Sequence, residues 1–509
     1  MNWDRILRNV LSNWTSYLVT AVIGFVLTPI VVHSLGNTGY GLWTLVVSVT
    51  GYFGLLDLGV RSSVGRFVTR YLALGDDANV NRTTTTAFAI LGAGGLLAFI
   101  ATILIAAFFF GSFRIQPQYT TAARIALVLT GLNMACILPL GVFSALLFAQ
   151  ERFDVVSGIT IVGELGRAAL VVWFLRHGYG LVALAVITLA IMLAEYGAMA
   201  VSAKALYRPL KIRLSYLDWA AGRELFGFSI YRFIWIVANQ LIFYSDAVVI
   251  GIFLGPGAIT PYAIAGSLIN YGRNIVSLVT DTLYPVAARM DAQRDVAGLQ
   301  QLLVLGTRMA LLLTLPLCLG FLFLGRQFIV LWMGDAYVGS ALVLTILTIP
   351  QFGSMSQYAS ALVLAGMARH RPFAYFALAE GLANLILSVI LVRRIGIIGV
   401  AWGTVIPNLV VSSIVVPLYT LRVLGIGVKD YLMNAYLRPV LCALPVAALG
   451  YRLSMIDSPS WLMFAAEALS MCGAFAAMSY FVCLSAQERL SAVGKIEAIF
   501  HREAVVHEG

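Results

Sequence analysis

The sequence predicts an all-α, polytopic membrane protein of about fourteen transmembrane helices, built as two six-helix lobes and two further C-terminal helices. Three observations predict it. Of 509 residues, 61% are hydrophobic and 11% charged, whereas a soluble domain carries about 25% charged residues. About fourteen apolar stretches reach the ~20 residues that a helix needs to cross ~30 Å of hydrocarbon. Segments 144–188 and 360–404 also read as two copies of one unit, with nine identities in 45 ungapped positions at an offset of 216. Duplicated apolar units are a mark of membrane folds whose binding sites lie between repeats.

In chain order the stretches are 12–33, 40–60, 84–110, 122–148, 153–175, 180–203, 225–252, 260–285, 302–325, 339–365, 373–392, 397–421, 433–451 and 461–484. The first is of full length and lacks a small-residue cleavage site, so it reads as a retained span. The longest connection, about 204–224, joins spans 6 and 7. Its basic run Lys204–Arg213, followed by Asp218-Trp219, reads as a polar linker with an interfacial helix. The expected organisation is therefore a lobe over 1–205, a cytoplasmic linker over 206–224, a second lobe over 225–422, two additional helices within 433–484, and a tail over 485–509. Six spans is an even number, so the second lobe enters from the same side as the first and the repeat is parallel.

The duplicated unit pairs Ser144-Ala145-Leu146 with Ser360-Ala361-Leu362, Glu164 with Glu380, Gly180 with Gly396 and Thr188 with Thr404. The starts of the two lobes agree: Leu35-Gly36 leads to Tyr40, and Leu254-Gly255 leads to Tyr262. The Gly255-Pro256-Gly257 sequence is a tight turn by composition.

Charge placement sets the orientation. Both termini and the even-numbered connections hold 21 Lys and Arg, and the odd-numbered connections hold six. The positive-inside rule then puts both termini in the cytoplasm. The net charge of +10 is thus topological and gives no support to nucleic-acid binding. Arg393-Arg394 departs from the bias and marks a boundary to check.

Charges at bilayer depth are costly, so they are functional candidates. Arg167 lies near the middle of span 5 and Arg273 is central in span 8, where snorkelling to the surface is hard. Among embedded acids, Asp57 stands four residues before Arg61, and Glu164 three before Arg167, so each pair can neutralise itself on one helix face. Asp246 and Glu380 have no Lys or Arg one helical turn away along the chain, which makes them candidates to titrate or hold a cation. Arg167 corresponds to Ala383 in the second copy, so the two copies have diverged in charge.

Several chemistries find no signature. There is no Walker A sequence, no dinucleotide fingerprint, no His-Glu-x-x-His and no serine nucleophile elbow. The five cysteines have no metal-ligand spacing and read as small packing residues, so no metal or cofactor is expected. External connections of up to about 15 residues leave little room for a membrane glycosyltransferase or polymerase. Without an ATP site, driving energy must come from an ion gradient, the membrane potential or consumption of product.

Certain motifs together carry a family resemblance. Asn9, Asn13 and Pro29 in the first span, Leu35-Gly36 with Tyr40-Gly41, Gly54-Leu-Leu-Asp57-Leu-Gly59 followed by Arg66, Asp246-Ala-Val-Val-Ile-Gly251 and Leu254-Gly255 with Tyr262 resemble the polysaccharide transporter branch of the multidrug/oligosaccharidyl-lipid/polysaccharide superfamily. The resemblance spans roughly residues 1–430. It implies two six-helix lobes around a central cavity, as in multidrug exporters of that superfamily, working by alternating access. It also implies a flippase in the bacterial inner membrane, moving undecaprenyl-diphosphate-linked oligosaccharide from the cytoplasmic to the periplasmic leaflet for O-antigen or exopolysaccharide synthesis. Polymerase and glycosyltransferase partners are implied with it.

A cationic cavity for the diphosphate would then draw on Arg61, Arg167 and Arg273, whose planar donors suit phosphate. Asp57, Glu164, Asp246 and Glu380 would serve ion coupling. The competing class is a cation-coupled antiporter of amphipathic drugs on the same fold, against which mid-span arginines argue by repulsion. A non-transporting assembly scaffold stays open, and it predicts that removing the Arg167 and Arg273 charges leaves function intact.

Overall fold

The computed structural model describes residues 3–227, 230–369, 371–456 and 460–483, and every regular element among them is helical. The expected tail over 485–509, with Arg489, Lys495 and Arg502, lies outside the described residues.

Spans 1 and 2 form one long helix, α1 (Trp3–Gly51), turned at Gly36 (φ 67, ψ 175), a backbone conformation that a side chain resists. A 3-10 turn over Tyr52–Asp57 follows, and the left-handed Leu58 and Gly59 then start α2 (Val60–Ala73). Next come α3 (Asp77–Leu104), α4 (Pro117–Ala149), α5 (Phe153–Arg176) and α6 (Leu181–Leu206). Pro117 stands in the first turn of α4, where a missing N–H costs nothing. Helices α7 (Trp219–Gly227), α8 (Ile230–Phe253) and α9 (Ile259–Thr280) lead into the second part of the chain.

The eighth span, expected over 260–285, therefore stops at Thr280, and the short α10 (Leu283–Ala292) takes a new direction. The chain continues through α11 (Val296–Phe323), α12 (Gly325–Met333), α13 (Gly339–Thr348), α14 (Gln351–Ser354) and α15 (Tyr358–Gly366). The stretch expected as one span over 339–365 is thus broken. Pro350 removes an N–H there and its ring crowds the carbonyl four residues back. Helices α16 (Arg371–Ile395), α17 (Ile397–Val410), α18 (Val416–Leu424), α19 (Val428–Tyr431), α20 (Leu437–Leu453) and α21 (Trp461–Val482) complete the described chain. One turn of π-helix precedes α18 and another precedes α20.

Eleven helical segments are long and apolar enough to cross a membrane among the described residues. The break at Gly36, helix α9 and the interrupted 339–366 segment make this compatible with about fourteen crossings. The chain is a multi-pass membrane protein. Both duplicated segments share one plan: a helix end, a helix of about 25 residues, a glycine (Gly180 or Gly396), and the next helix. Arg393 and Arg394 close the last turn of α16, so the boundary expected at 392 moves to Ile395.

Among the described residues, packing groups those up to 264 with 371–407, and 265–369 with those from 408 to 483. In the first unit, Val60, Val64, Leu91, Leu138, Val142 and Leu146 form a buried core among α2, α3 and α4. The segment after α6 lies against α3. Asn81 donates to the Pro209 carbonyl at 3.0 Å and accepts from the Lys211 N–H at 2.8 Å, and Thr86 Oγ1 accepts from the Asp218 N–H at 3.1 Å. Burial and a hydrogen bond to Asp77 raise the Tyr207 phenol above its usual range.

In the second unit, Leu311, Leu315, Cys442, Val446, Met471 and Phe475 join α11 to the last two helices. Beside them Tyr431 and Tyr436 share a buried polar network: Thr307 lies 2.9 Å from the Tyr431 hydroxyl, and Gln357 donates to the Tyr436 hydroxyl at 2.6 Å.

Candidate functional site

Asp246 sits on α8 where Gly381 of α16 lets the two helices close. A Cβ on Gly381 would stand 2.9 Å from the Leu241 Cβ and 3.1 Å from the Ala238 carbonyl. This approach buries polar side chains from α8, α9, α16 and α17 together. Asp246 is 5% exposed, and its Oδ2 accepts hydrogen bonds from the Tyr262 hydroxyl and from Thr404 Oγ1, the latter at 2.9 Å. Asn384 Nδ2 donates to Thr404 Oγ1 at 3.2 Å. Asn384 Oδ1 accepts from Ser245 at 3.5 Å and from Ser388 at 3.4 Å. The Val400 carbonyl lies 3.2 Å from Thr404 Oγ1 and 3.4 Å from Ser388 Oγ. Among the described residues, no group donates a hydrogen bond to the buried Asp246 Oδ1.

A buried carboxylate oxygen without a donor is costly, so the arrangement suits either a proton on Asp246 or a small hard cation. Such a cation would find oxygen donors in Asp246, Asn384, Thr404 and the Val400 carbonyl. No group of three or more His, Cys, Asp or Glu side chains gathers among the described residues. Sequence reading named Asp246 as a site residue, took Tyr262 and Thr404 only as parts of the repeated segments and Asn384 only as an embedded polar residue, and gave Ser388 no role. Thr404 carried a signal, since it closes the duplicated segment, and Asn384 follows Glu380 by one helical turn. Glu380 itself is buried on α16 at 5% exposure.

The remaining candidates occupy other places. Asp57 and Arg61 do not share one continuous helix, because the left-handed Leu58 and Gly59 intervene. They meet nonetheless: Asp57 accepts the Arg61 backbone N–H at 3.1 Å, in the manner of a helix cap, and faces its guanidinium at 3.8 Å. Arg61 Nη2 also donates to the Ile137 carbonyl at 3.3 Å, and the guanidinium covers Gly141, where a Cβ would lie 2.5 Å from Cζ.

Glu164 and Arg167 pair on α5 as their spacing predicts, with Nε donating at 3.0 Å. Glu195 of α6 rests on the backbone beside them, since a Cβ on Gly163 would stand 1.8 Å from Glu195 Oε1. Two carboxylates thus neighbour one guanidinium. In the second unit, Arg273 Nε donates to Gln351 Oε1 at 3.1 Å, and Ser354 donates to the same oxygen at 3.2 Å. Arg61 and Arg167 are each matched to a carboxylate, while Arg273 leans on an amide oxygen.

The helical architecture and its buried polar cluster define a multi-pass membrane protein with the fold of the MOP superfamily. Among solved structures, the lipid II flippase MurJ in an inward closed conformation superposes with TM-score 0.71 at 16% identity, over 93% of this chain and 99% of that one. The inward-facing conformation of a multidrug resistance MATE family transporter of the MOP superfamily gives TM-score 0.70 at 14% identity, over 81% and 94%. The polysaccharide biosynthesis protein family matches residues 6–291, and the chain belongs to that family.

Two relatives extend the match over nearly their full length. The uncharacterized membrane protein EpsK of Bacillus subtilis (strain 168) is 22% identical over 504 residues, 94% of this chain and 96% of that protein. A putative O-antigen transporter of Shigella flexneri is 21% identical over 409 residues, 78% of this chain and 93% of that protein.

Proposed function

We propose that this protein is a flippase that moves undecaprenyl-diphosphate-linked oligosaccharide from the cytoplasmic to the periplasmic leaflet of a bacterial inner membrane, for surface polysaccharide synthesis. The observation that carries the reading is membership of the polysaccharide biosynthesis protein family by a multi-pass helical protein of the MOP fold. A relative named as a putative O-antigen transporter, together with a fold neighbour that is a lipid II flippase, points to transport rather than catalysis. Polymerase and glycosyltransferase partners belong to the same proposal.

Two lobes, over 1–205 and 225–422, would rock about a central cavity with both termini cytoplasmic. Arg61, Arg167 and Arg273 are the proposed contacts for the diphosphate. Arg273 is the first choice, because a charge within α9 is costly at bilayer depth and its Nε is oriented by Gln351 Oε1. The coupling cation or proton would sit at Asp246, supported by its unbonded Oδ1 and the oxygens around it. Asp57, Glu164 and Glu380 complete the proposed coupling set.

Translocation in proteoliposomes tests this, using a fluorescent undecaprenyl-diphosphate oligosaccharide with and without a proton or sodium gradient. Protein-dependent movement that is lost in Arg273→Ala, with normal insertion of the variant, is the expected result. Export of a cationic dye with no movement of lipid-linked sugar would overturn it in favour of an antiporter.

A further inference from the structure

A groove of about 660 Å³ runs between α1 and α5 of the first unit. Its floor includes Ala169, whose small side chain leaves the space, and its walls include Val22, Val26 and Trp173, each just over half exposed. The end of the groove differs in kind. Arg176 closes the last turn of α5 and His177 caps it, so two basic side chains stand where the helix leaves its apolar span.

His177 is fixed there. Its Nδ1 lies 2.7 Å from the Trp173 carbonyl and its ring rests on the Trp173 indole, with centroids 4.4 Å apart. That leaves Nε2 as the ring's outward nitrogen. Among the described residues no carboxylate pairs with Arg176. Cations at a helix C-terminus are favourable in their own right. That explains a basic residue here, but it does not explain an apolar channel leading up to it.

We propose that this groove binds one chain of an anionic phospholipid, with the lipid phosphate on Arg176 and the rest of its headgroup beside His177. The apolar walls match a hydrocarbon chain. Arg176 sits at the depth where a span meets the headgroups, and a tryptophan beside it is the usual neighbour of that boundary. Charge complementarity selects an anionic headgroup over a zwitterionic one. None of these residues enters the proposed substrate or coupling sets, so the inference stands apart from the transport reading.

Native mass spectrometry of the full-length protein tests it, after incubation with equal amounts of phosphatidylglycerol and phosphatidylcholine. Phosphatidylglycerol should be retained over phosphatidylcholine by about fivefold, the scale of one basic residue at a charged membrane surface. Ala169→Trp, which fills the groove, should lose the retained lipid. The double substitution R176Q/H177Q should keep a lipid and lose the preference, and it serves as the test if Ala169→Trp does not fold. Equal retention of the two lipids by the natural protein overturns the proposal. So does retention that neither variant changes. Displacement of phosphatidylglycerol by undecaprenyl phosphate at equal concentration would overturn the phospholipid as the occupant and make the carrier lipid the ligand.

Discussion

Thr404 Oγ1 donates to Asp246 Oδ2 at 2.9 Å, tying α17 to a carboxylate 158 residues earlier on α8. Its counterpart in the duplicated segment does something else. Thr188 Oγ1 bonds back to the Leu184 carbonyl at 2.7 Å, and its own carbonyl accepts from Asn133. Thr404 also lies 3.2 Å from the carbonyl four residues back, and in addition reaches the buried acid. The divergence predicts that ion dependence resides in the second copy.

Asp246→Asn keeps the shape and removes the charge, so it should fold and insert. Gradient-stimulated transport should fall about tenfold or more, the equivalent of at least ~1.4 kcal/mol of ion interaction. Thr404→Ala should fall in the same direction by less, since one donor is lost and the carboxylate stays. The initial rate of flipping against an imposed sodium or proton gradient measures both. An unchanged gradient response in Asp246→Asn would remove the acid from coupling.

The Glu164–Arg167 pair gives a prediction about insertion. Arg167→Gln leaves Glu164 and Glu195 close together at membrane depth with no cation between them, which is expensive. Its level in the membrane should drop several-fold, and Glu164→Gln added to it should restore that level. Complementation then separates the two roles of Arg167. A double variant that inserts normally but does not transport supports a contact with the substrate anion, and one that restores transport makes the pair structural.

Outside the spans, Asp76 caps α3 by accepting the Asn79 backbone N–H at 3.0 Å and the Asn79 amide. Those bonds hold its carboxyl below the usual carboxylate range. A depressed folded-state value means that the stabilisation is present above the unfolded value, near pH ~4, and is lost as pH falls through the folded one. Asp76→Ala should therefore melt at a lower temperature than the natural protein above about pH 5, and the two should converge in stronger acid. Asp76→Asn, which still caps, should lose less above about pH 5, and its gap from the natural protein should narrow in acid by the same amount, since neither variant titrates there.

Much of this was legible because membrane insertion imposes strong rules. Apolar length gave the helices, and i, i+3 spacing gave the Glu164–Arg167 pair. The failures share one cause: local periodicity does not report backbone direction. Leu58 and Gly59 turn the chain between Asp57 and Arg61, and Pro350 breaks a stretch that hydropathy reads as continuous. The site's partners stayed hidden for a related reason. Asn384, Ser388 and Thr404 are small polar residues in apolar helices, and only the packing of α16 and α17 on α8 shows that they converge on Asp246. The row Thr83–Thr86 beside Asn81 was a visible signal, since these residues are buried where the segment after α6 lies on α3.

Two motifs that read as equivalents at the starts of the two halves pack against each other. Thr260 donates to the Asn37 carbonyl at 2.7 Å, and Gly41 meets the Gly255-Pro256 turn so closely that a Cβ would lie 1.9 Å from the Pro256 carbonyl. A backbone carbonyl cannot swing aside as a side chain can, so any larger residue at 41 must separate α1 from that turn. If the proposed alternating access parts this contact in its other state, Gly41→Val should shift the population away from the packing seen here. Cysteines placed by Asn37→Cys and Thr260→Cys report it directly. They should cross-link readily with Gly41 present and several-fold less with valine, and transport should fall in parallel because a carrier held in one state does not cycle. Equal cross-linking in both backgrounds, with transport intact, would show that the contact persists through the cycle and is part of the static scaffold.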